Sequence, residues 1–383
     1  MFWRYFKIKD KIIIIADIHF GDKSFSKQIF EYKIKFFQEF FFPFIKQQKV
    51  KHIVFLGDLF HNRNIIDNYI KQRVQEEFID WFKDNNINLY LICGNHDIYY
   101  KNTRKYSILK SLNLSDNIKL YIDNDYYIEN IAGYKCLIIP WIIDKFPKID
   151  EKSKNFDFVF GHFEFSGINV SEEYKISKGL NISNLTKQVK FNKCFSGHYH
   201  NKVIKDDIIY VGSPFQMNWN DFDIEKGFYL VNDVDNLNFI RNDYSPKFLK
   251  IYYNELEDDI EVNVLGYLYN QKILKVKIEE LFDLVKNNFV TLIIKNIKNQ
   301  ELFDTFYAQL SEVSLSKIDV VDLRLVFEDS TKIEKEQEIK NIKEVINNYT
   351  DLLYLPEGIK QDNIKKLFFK LYEESQERIK EVI

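Results

Sequence analysis

Residues 11–19 read KIIIIADIH. Four consecutive isoleucines are too few for a helix and too apolar for a surface. Bounded by Lys11 on one side and by Asp17 and His19 on the other, they predict a buried strand that ends in polar side chains. The same grammar returns four times. HIVFL (52–56) runs into Gly57-Asp58, NLYLIC (88–93) into Gly94-Asn95-His96-Asp97, FDFVF (156–160) into Gly161-His162, and KCFS (193–196) into Gly197-His198-Tyr199-His200. The chain has only seven histidines, and six of them, His19, His61, His96, His162, His198 and His200, belong to these clusters. His52 alone stands apart, at the start of a strand. A single histidine is usually a satisfied polar group near a core. Six gathered at strand ends beside Asp and Asn call for a chemical reason.

Helical patterns separate the early strands. Residues 28–42 are helix-like up to Pro43. Residues 65–84 place Ile66, Tyr69, Ile70, Val74, Phe78, Trp81 and Phe82 on one face at helical spacing. Strand–helix alternation predicts an α/β fold with helices flanking the sheet, and ligands in such folds bind outside the carboxyl ends of the strands. All five polar clusters lie at those ends. DIIYVGSP (207–214) and KGFYLVN (226–232) read as closing strands, and Asp243-Tyr244-Ser245-Pro246 as a boundary turn. The first domain is therefore expected over 1–245. A small α+β module follows over 246–330, with a strand at 289–297, a helix at 299–314 and a strand at 320–329. The tail, 331–383, carries two amphipathic stripes: Ile339, Ile342, Val345, Ile346 and Tyr349, then Ile364, Phe368, Leu371, Ile379 and Val382. That pattern fits a helical hairpin packed on its own protein and equally a docking arm for a partner helix.

Composition bounds the function. At 383 residues the chain is long enough for two or three domains. The net charge of −3 excludes a global field for a polyanion, so nucleic-acid binding would need a local basic patch. The 35 Phe and 24 Tyr, with only 12 Gly and 6 Pro, fit an AT-rich genome. Cys93, Cys136 and Cys194 show no CxxC spacing and read as buried thiols in a reducing compartment. No apolar run approaches the roughly 20 residues of a bilayer span. The N-terminal apolar run ends in Asp and His and lacks a signal-peptide cleavage site. A cytoplasmic protein without membrane contact is expected.

Mixed carboxylate and imidazole clusters suit a pair of divalent ions roughly 3.5–4 Å apart, which can clamp the attacking and leaving oxygens of a phosphoryl centre. That donor set favours Mn, Fe, Ni or Zn over Mg or Ca. In GHYH, alternate residues of an extended segment point the same way, so His198 and His200 can reach adjacent ions.

DIH, GD, GNHD, GH and GHYH, in that order, resemble the calcineurin-like metallophosphoesterase superfamily. The resemblance implies a β-sandwich flanked by helices. GDLFHNRN (57–64) lacks the GD-x-x-DRG pattern of serine/threonine phosphatases and is similar to the nuclease subunit of SbcCD-type and Mre-type double-strand-break repair complexes. GNHDIYYKN, LIIPW, GHFEFSG, FSGHYH, YVGSPF and KGFYLV resemble the T-even phage version, the nuclease subunit of a recombination endonuclease. The resemblance covers most of 1–232 and is looser in the tail. It implies a two-metal DNA nuclease, acting 3′ to 5′ on duplex ends and as an endonuclease on single strands. Manganese is the expected metal, with magnesium the other possibility. Asp17, His19 and His200 would bind one ion, Asn95, His162 and His198 the other, and Asp58 would bridge them. His96 would protonate or stabilise the departing 3′ oxygen, Asp97 would orient its ring, and His61 would help position the scissile phosphate. The phage version carries an acidic residue at that last position, so His61 follows the cellular branch. Residues 246–330 would be a capping domain, and the tail helices would grip an SMC-like ATPase partner. A homodimer is implied as well. Arg63, Lys101, Arg104 and Lys105 lie beside the motifs and are candidates for DNA phosphates or simply solvated charges. The alternatives are a small-substrate phosphodiesterase or phosphatase of the same superfamily, and a scaffold with a dead site.

Overall fold

The computed structural model describes residues 9–21, 27–150, 154–169, 176, 179–256, 259–269, 271–324, 361 and 364–366. In chain order the first strands are β1 (Ile12–Ile15), β2 (His52–Phe55), β3 (Asn88–Ile92) and β4 (Ile118–Tyr121). Then come β5 (Tyr127–Ile131), β6 (Tyr134–Ile139), β7 (Asn155–His162), β8 (Lys190–Gly197), β9 (Val203–Lys205), β10 (Ile208–Tyr210), β11 (Gly227–Val231) and β12 (Leu237–Arg241). They form two six-stranded sheets, ordered β12-β11-β1-β2-β3-β4 and β5-β6-β7-β8-β10-β9. Strands β1 to β4 are parallel, as are β6, β7, β8 and β10. The expected sandwich is present.

Strand alternation decides what each isoleucine of β1 does. Ile12 and Ile14 face the second sheet, in one core with Val54, Leu56, Ile92, Cys136, Phe158, Phe160 and Phe195. Ile13 and Ile15 face the other way, into the helices, with Phe37, Phe41, Phe78 and Phe82. The three cysteines are buried and free, and burial pushes each thiol up.

Two helical arms cover the first sheet. The helix expected to stop at Pro43 does not. It runs from α1 (Lys27–Lys35) through a π-helical stretch (Phe36–Phe41) into α2 (Phe42–Gln48). Pro43 directly follows the π-helical stretch, where the Phe42 N–H reaches back to Phe37 O, and the widened turn accommodates a residue with no N–H to give. The helix ends at Lys49, in a left-handed conformation (φ 57°). The second arm is α3 (Asn68–Val74), a π-helical stretch (Gln75–Ile79) and α4 (Asp80–Asp84), capped by the Asp67 carboxylate on the Tyr69 N–H at 2.7 Å. Ile70, Val74, Phe78 and Phe82 are buried as expected, and Trp81 stacks on Phe42 at 3.9 Å. Tyr69 turns outward instead and donates to Glu31.

After the short α5 (Ser183–Thr186) and the closing strands, a third sheet of five strands appears. It comprises β13 (Phe248–Glu255), β14 (Ile260–Leu265), β15 (Leu274–Val276), β16 (Phe289–Asn296) and β17 (Asp319–Asp322), ordered β15-β14-β13-β16-β17. Helices α6 (Ile278–Val285) and α7 (Gln300–Val313) cover it, and Leu281, Phe303, Phe306 and Leu310 pack on Leu249, Ile251 and Leu292. Sequence patterns anticipate β16, α7 and β17 but miss β13 to β15 and α6. Phe248 and Phe289, stacked at 4.7 Å, belong to the helix-side core of the sandwich and join the two units. The expected tail helices fall outside the described residues, apart from Gln361 and residues 364–366, which are helical. Among the described residues no helix is long and apolar enough to cross a membrane.

Truncating Ile14, which lies between both sheets, removes methyl groups that nothing else can replace. Ile14→Ala is expected to cost about 2–5 kcal/mol, read as a lower urea midpoint with an unchanged slope. An unchanged midpoint would place Ile14 outside the core.

Candidate metal centre

The two sheets present their parallel strands with carboxyl ends at one edge, and each ligand candidate follows one of them. Asp17 and His19 come after β1, Asp58 and His61 after β2, and Asn95, His96 and Asp97 after β3. His162 closes β7, and His198 and His200 follow β8. Past the strands the loops stay zipped. DIHF (17–20) and GDLF (57–60) run side by side, with Asp17 N–H on Gly57 O at 3.1 Å, His19 N–H on Asp58 O at 3.0 Å and Phe20 N–H on Leu59 O at 2.8 Å. Asp17, His19, Asp58 and His198 all have positive φ, between 52° and 90°. L-residues rarely adopt that conformation, and it concentrates at functional sites.

The side chains converge on Asp58. Its Oδ2 lies 3.6 Å from His19 Nε2 and 3.4 Å from His162 Nε2. On one side, His19 Nε2 and His200 Nε2 meet at 3.0 Å, and Asp17 joins them within ligand range. On the other, Asn95 Oδ1 lies 2.9 Å from both His162 Nε2 and His198 Nδ1. His162 Nδ1 donates to the Leu56 carbonyl at 2.7 Å, which turns Nε2 toward the site. The seven candidate residues are thus brought together around Asp58; Asp17 lies within ligand range of His19 and His200 and also of Asp58 and His162, and His19 also of His61 and His96.

These residues fit two divalent cations. Imidazole nitrogens and acid oxygens gather within 4.8 Å of one another in overlapping groups of three. Burial holds His198 down at about 3 and His200 at about 4, so both rings are neutral and able to donate a lone pair. The buried Asp17 carboxyl is pushed up to about 8 by its loss of solvent, with the Asp58 carboxylate adding to the shift. Two acids buried side by side, Asp17 and Asp58, suit a cation between them.

Two expected roles change. Asp97 does not orient the His96 ring. Its carboxylate accepts three short backbone N–H bonds, from Asp58 at 2.8 Å, Leu59 at 3.0 Å and Gly94 at 2.9 Å, and a longer one from Phe60 at 3.4 Å. It clamps the β2 and β3 loops to each other. The His96 ring is held instead by the His61 carbonyl, which accepts from Nδ1 at 2.6 Å, while the His61 ring stands 5.2 Å from both the His96 and His19 rings. Arg104 is also otherwise engaged: it donates to the Trp141 carbonyl at 3.1 Å and pairs with Asp125. Arg63 is half-buried, while Lys101 and Lys105 are exposed.

Three supporting residues escape a reading of the sequence. Trp141 lies 5.8 Å from the His162 ring and 5.3 Å from the His198 ring and walls that side of the site. Lys33 of α1, 1% exposed, donates to the carbonyls of Ile18 and His19 at 3.1 and 2.8 Å. Lys226, buried with Asp221, donates to the His200 carbonyl at 2.7 Å. The motifs LIIPW and KGFYLV contain Trp141 and Lys226, but neither residue signals its target.

A phosphoesterase centre is what this edge of the sandwich is built to hold. The model of the calcineurin-like phosphoesterase family matches residues 10–202, and the chain belongs to that family. Among curated relatives, exonuclease subunit 1 of Enterobacteria phage T4 is 26% identical over 237 residues, covering 61% of this chain and 68% of the relative. The DNA double-strand break repair protein Mre11 of Nanoarchaeum equitans is 24% identical over 293 residues, covering 65% of this chain and 78% of the relative.

Asp97→Asn would set an NH2 group against backbone N–H donors and loosen both ligand loops. Mn2+ affinity, measured by calorimetric titration, is expected to fall about 10- to 100-fold; unchanged affinity would show that the clamp is dispensable. The metal-free site also has a pH signature. Burial alone would lower the His162 imidazole, but Asp58 outweighs it and holds it up at about 9, against an ordinary 6.5. Asp17 likewise keeps its proton up to about 8. Both groups retain in the fold a proton that the unfolded chain has released, so stability falls as pH rises from 6.5 to about 9. Melting temperature in EDTA should decline across that window, and Mn2+ should raise it most at the alkaline end. A flat profile would contradict the buried charges.

Proposed function

We propose that the protein is a metal-dependent DNA nuclease that hydrolyses phosphodiesters at this centre. It degrades duplex ends 3′ to 5′ and cuts single strands, as the nuclease subunit of an ATPase–nuclease complex in double-strand-break repair or recombination. The observation that carries the reading is the Asp58 carboxylate, shared between two ligand sets with the His96 ring standing 4.8 Å from His19 on the same face. The names of the two relatives support DNA over a small substrate. When bound, two divalent cations, manganese by preference, supply an activated water and neutralise charge developing at phosphorus. Asp17, His19 and His200 would hold one, Asn95, His162 and His198 the other, and Asp58 would serve both. With Nδ1 committed to the His61 carbonyl, His96 uses Nε2 to give a proton to the departing 3′ oxygen. His61 steadies the phosphate from the adjoining position. Arg63, Lys101 and Lys105 contact the DNA backbone, while Arg104 braces their loop against Trp141. Residues 246–330 cap the nuclease domain, the C-terminal helices bind the SMC-like ATPase, and two copies pair as a homodimer.

The test uses the full chain with Mn2+ and end-labelled linear duplex, an EDTA control, and bis-p-nitrophenyl phosphate beside it. Metal-dependent loss of nucleotides is expected, and His96→Ala should lower kcat about 10²- to 10⁴-fold with Mn2+ binding intact. Hydrolysis of the generic diester with the DNA left whole would favour the small-substrate phosphodiesterase instead.

A further inference from the structure

Asp97 not only clamps the ligand loops; it is also the root of a small hairpin. Ile98 bridges Ser107, Tyr99 N–H donates to Tyr106 O at 2.9 Å, and the Asp97 carbonyl accepts from Ser107 Oγ at 2.6 Å and Ile108 N–H at 3.2 Å. The far limb is pinned by Arg104 to the carbonyl of Trp141, whose ring lies against His162 and His198. The hairpin is therefore tied at both ends to the walls of the metal centre. Its inner residue, Ile98, is fully buried, but its tyrosines are not. Tyr99, Tyr100 and Tyr106 are 45%, 52% and 53% exposed. They touch edge to face, with Tyr99 to Tyr100 at 4.6 Å and Tyr100 to Tyr106 at 5.9 Å. Lys105 reaches over the Tyr106 ring at 5.4 Å, and Lys101 stands exposed between the two limbs.

Exposed aromatic residues usually stand singly, and a cluster marks an interaction surface. An edge-to-face pair covers a face of only one of its two rings, so half-exposed rings keep face area in solvent, and a flat π-system is the group such faces take best. Cations among the rings suit a polyanion that carries flat groups, which describes a single strand of nucleic acid. The bases inside a duplex have both faces covered by their neighbours, so only a terminal or unpaired base is available.

We propose that Tyr99, Tyr100 and Tyr106 form a stacking platform for an unpaired base of the DNA strand whose phosphodiester lies at the metal centre, with Lys101 and Lys105 holding the adjoining phosphates. The proposal rests on the nuclease reading and deepens it: the preferred substrate is an end that frays or carries a single-stranded tail. These tyrosines position the strand and take no part in the chemistry.

The test is a cycle between protein and DNA. The full chain with Mn2+ acts on a duplex with a short 3′ single-stranded tail, either intact or with abasic sites through the tail. The same substrates are given to Tyr100→Ala, to the triple alanine variant and to Tyr100→Phe. Removing the rings should raise KM for the intact tail about tenfold or more with kcat little changed. Tyr100→Phe should behave as wild type, because the ring and not the hydroxyl does the stacking. The abasic tail should already show the raised KM with wild-type protein, and the alanine variants should add nothing further. Equal KM for intact and abasic tails in the wild type would overturn the platform. So would an alanine effect of the same size on both tails, which would be a structural defect. A wild-type protein that cleaves no DNA at all would overturn the nuclease reading itself, and the platform with it.

Discussion

The Asp58 carboxylate is 1% exposed, lies within 3.6 Å of an imidazole from each of two ligand sets, and has no room to move. Its Oδ1 accepts the His96 N–H at 2.7 Å. Its backbone, with φ at 59°, follows Gly57 with φ at 103°. A Cβ at Gly57 would meet His162 Nδ1 at 2.6 Å, and one at Gly94 would sit 2.2 Å from Asp58 Oδ1. Glycine is required at both places because the β2 and β3 loops approach each other this closely. The ligands from β1, β3, β7 and β8 are arranged around that one fixed carboxylate.

Such an arrangement is costly for the polypeptide alone. Each of the four left-handed ligand backbones, Asp17, His19, Asp58 and His198, costs on the order of 1–3 kcal/mol. Buried carboxylates and imidazoles add the cost of desolvation. The sandwich core and the helix-side aromatic core supply the rigidity that holds this strain, and the Asp97 clamp, Lys33 and Lys226 hold the loops. A divalent cation would reverse the sign of the electrostatic part, because a group that resists ionisation by itself becomes a ligand beside a cation.

The fold's skeleton was legible because buried parallel strands leave a strong mark. Runs such as IIII and HIVF have no polar face, and a ligand after a glycine announces the strand's carboxyl end. The convergence of the candidate residues on one edge was legible for the same reason. Supporting contacts were not, because they run through backbone groups that no residue type encodes. Asp97 reads as a partner for the neighbouring His96, yet its oxygens go to N–H groups of the β2 loop nearly 40 positions away in the chain. Nothing in the sequence singles out Lys33, yet α1 packs so that its ammonium donates to the carbonyls of Ile18 and His19. Pro43 reads as a stop, yet the π-helical stretch before it widens the turn and accommodates proline. β13, with Lys250, Tyr252 and Asn254 alternating against Leu249, Ile251 and Tyr253, is a half-buried strand whose alternation is softened by tyrosines on both faces.

The proposed function needs the Asp58 carboxylate to serve two cations in a single centre. Low-temperature EPR of the Mn2+-loaded full chain, with the bound metal counted on the same sample, tests it directly. Two ions per chain with an exchange-coupled spectrum are expected from a shared Asp58. One ion per chain, or two ions with the spectrum of isolated Mn2+, would contradict it.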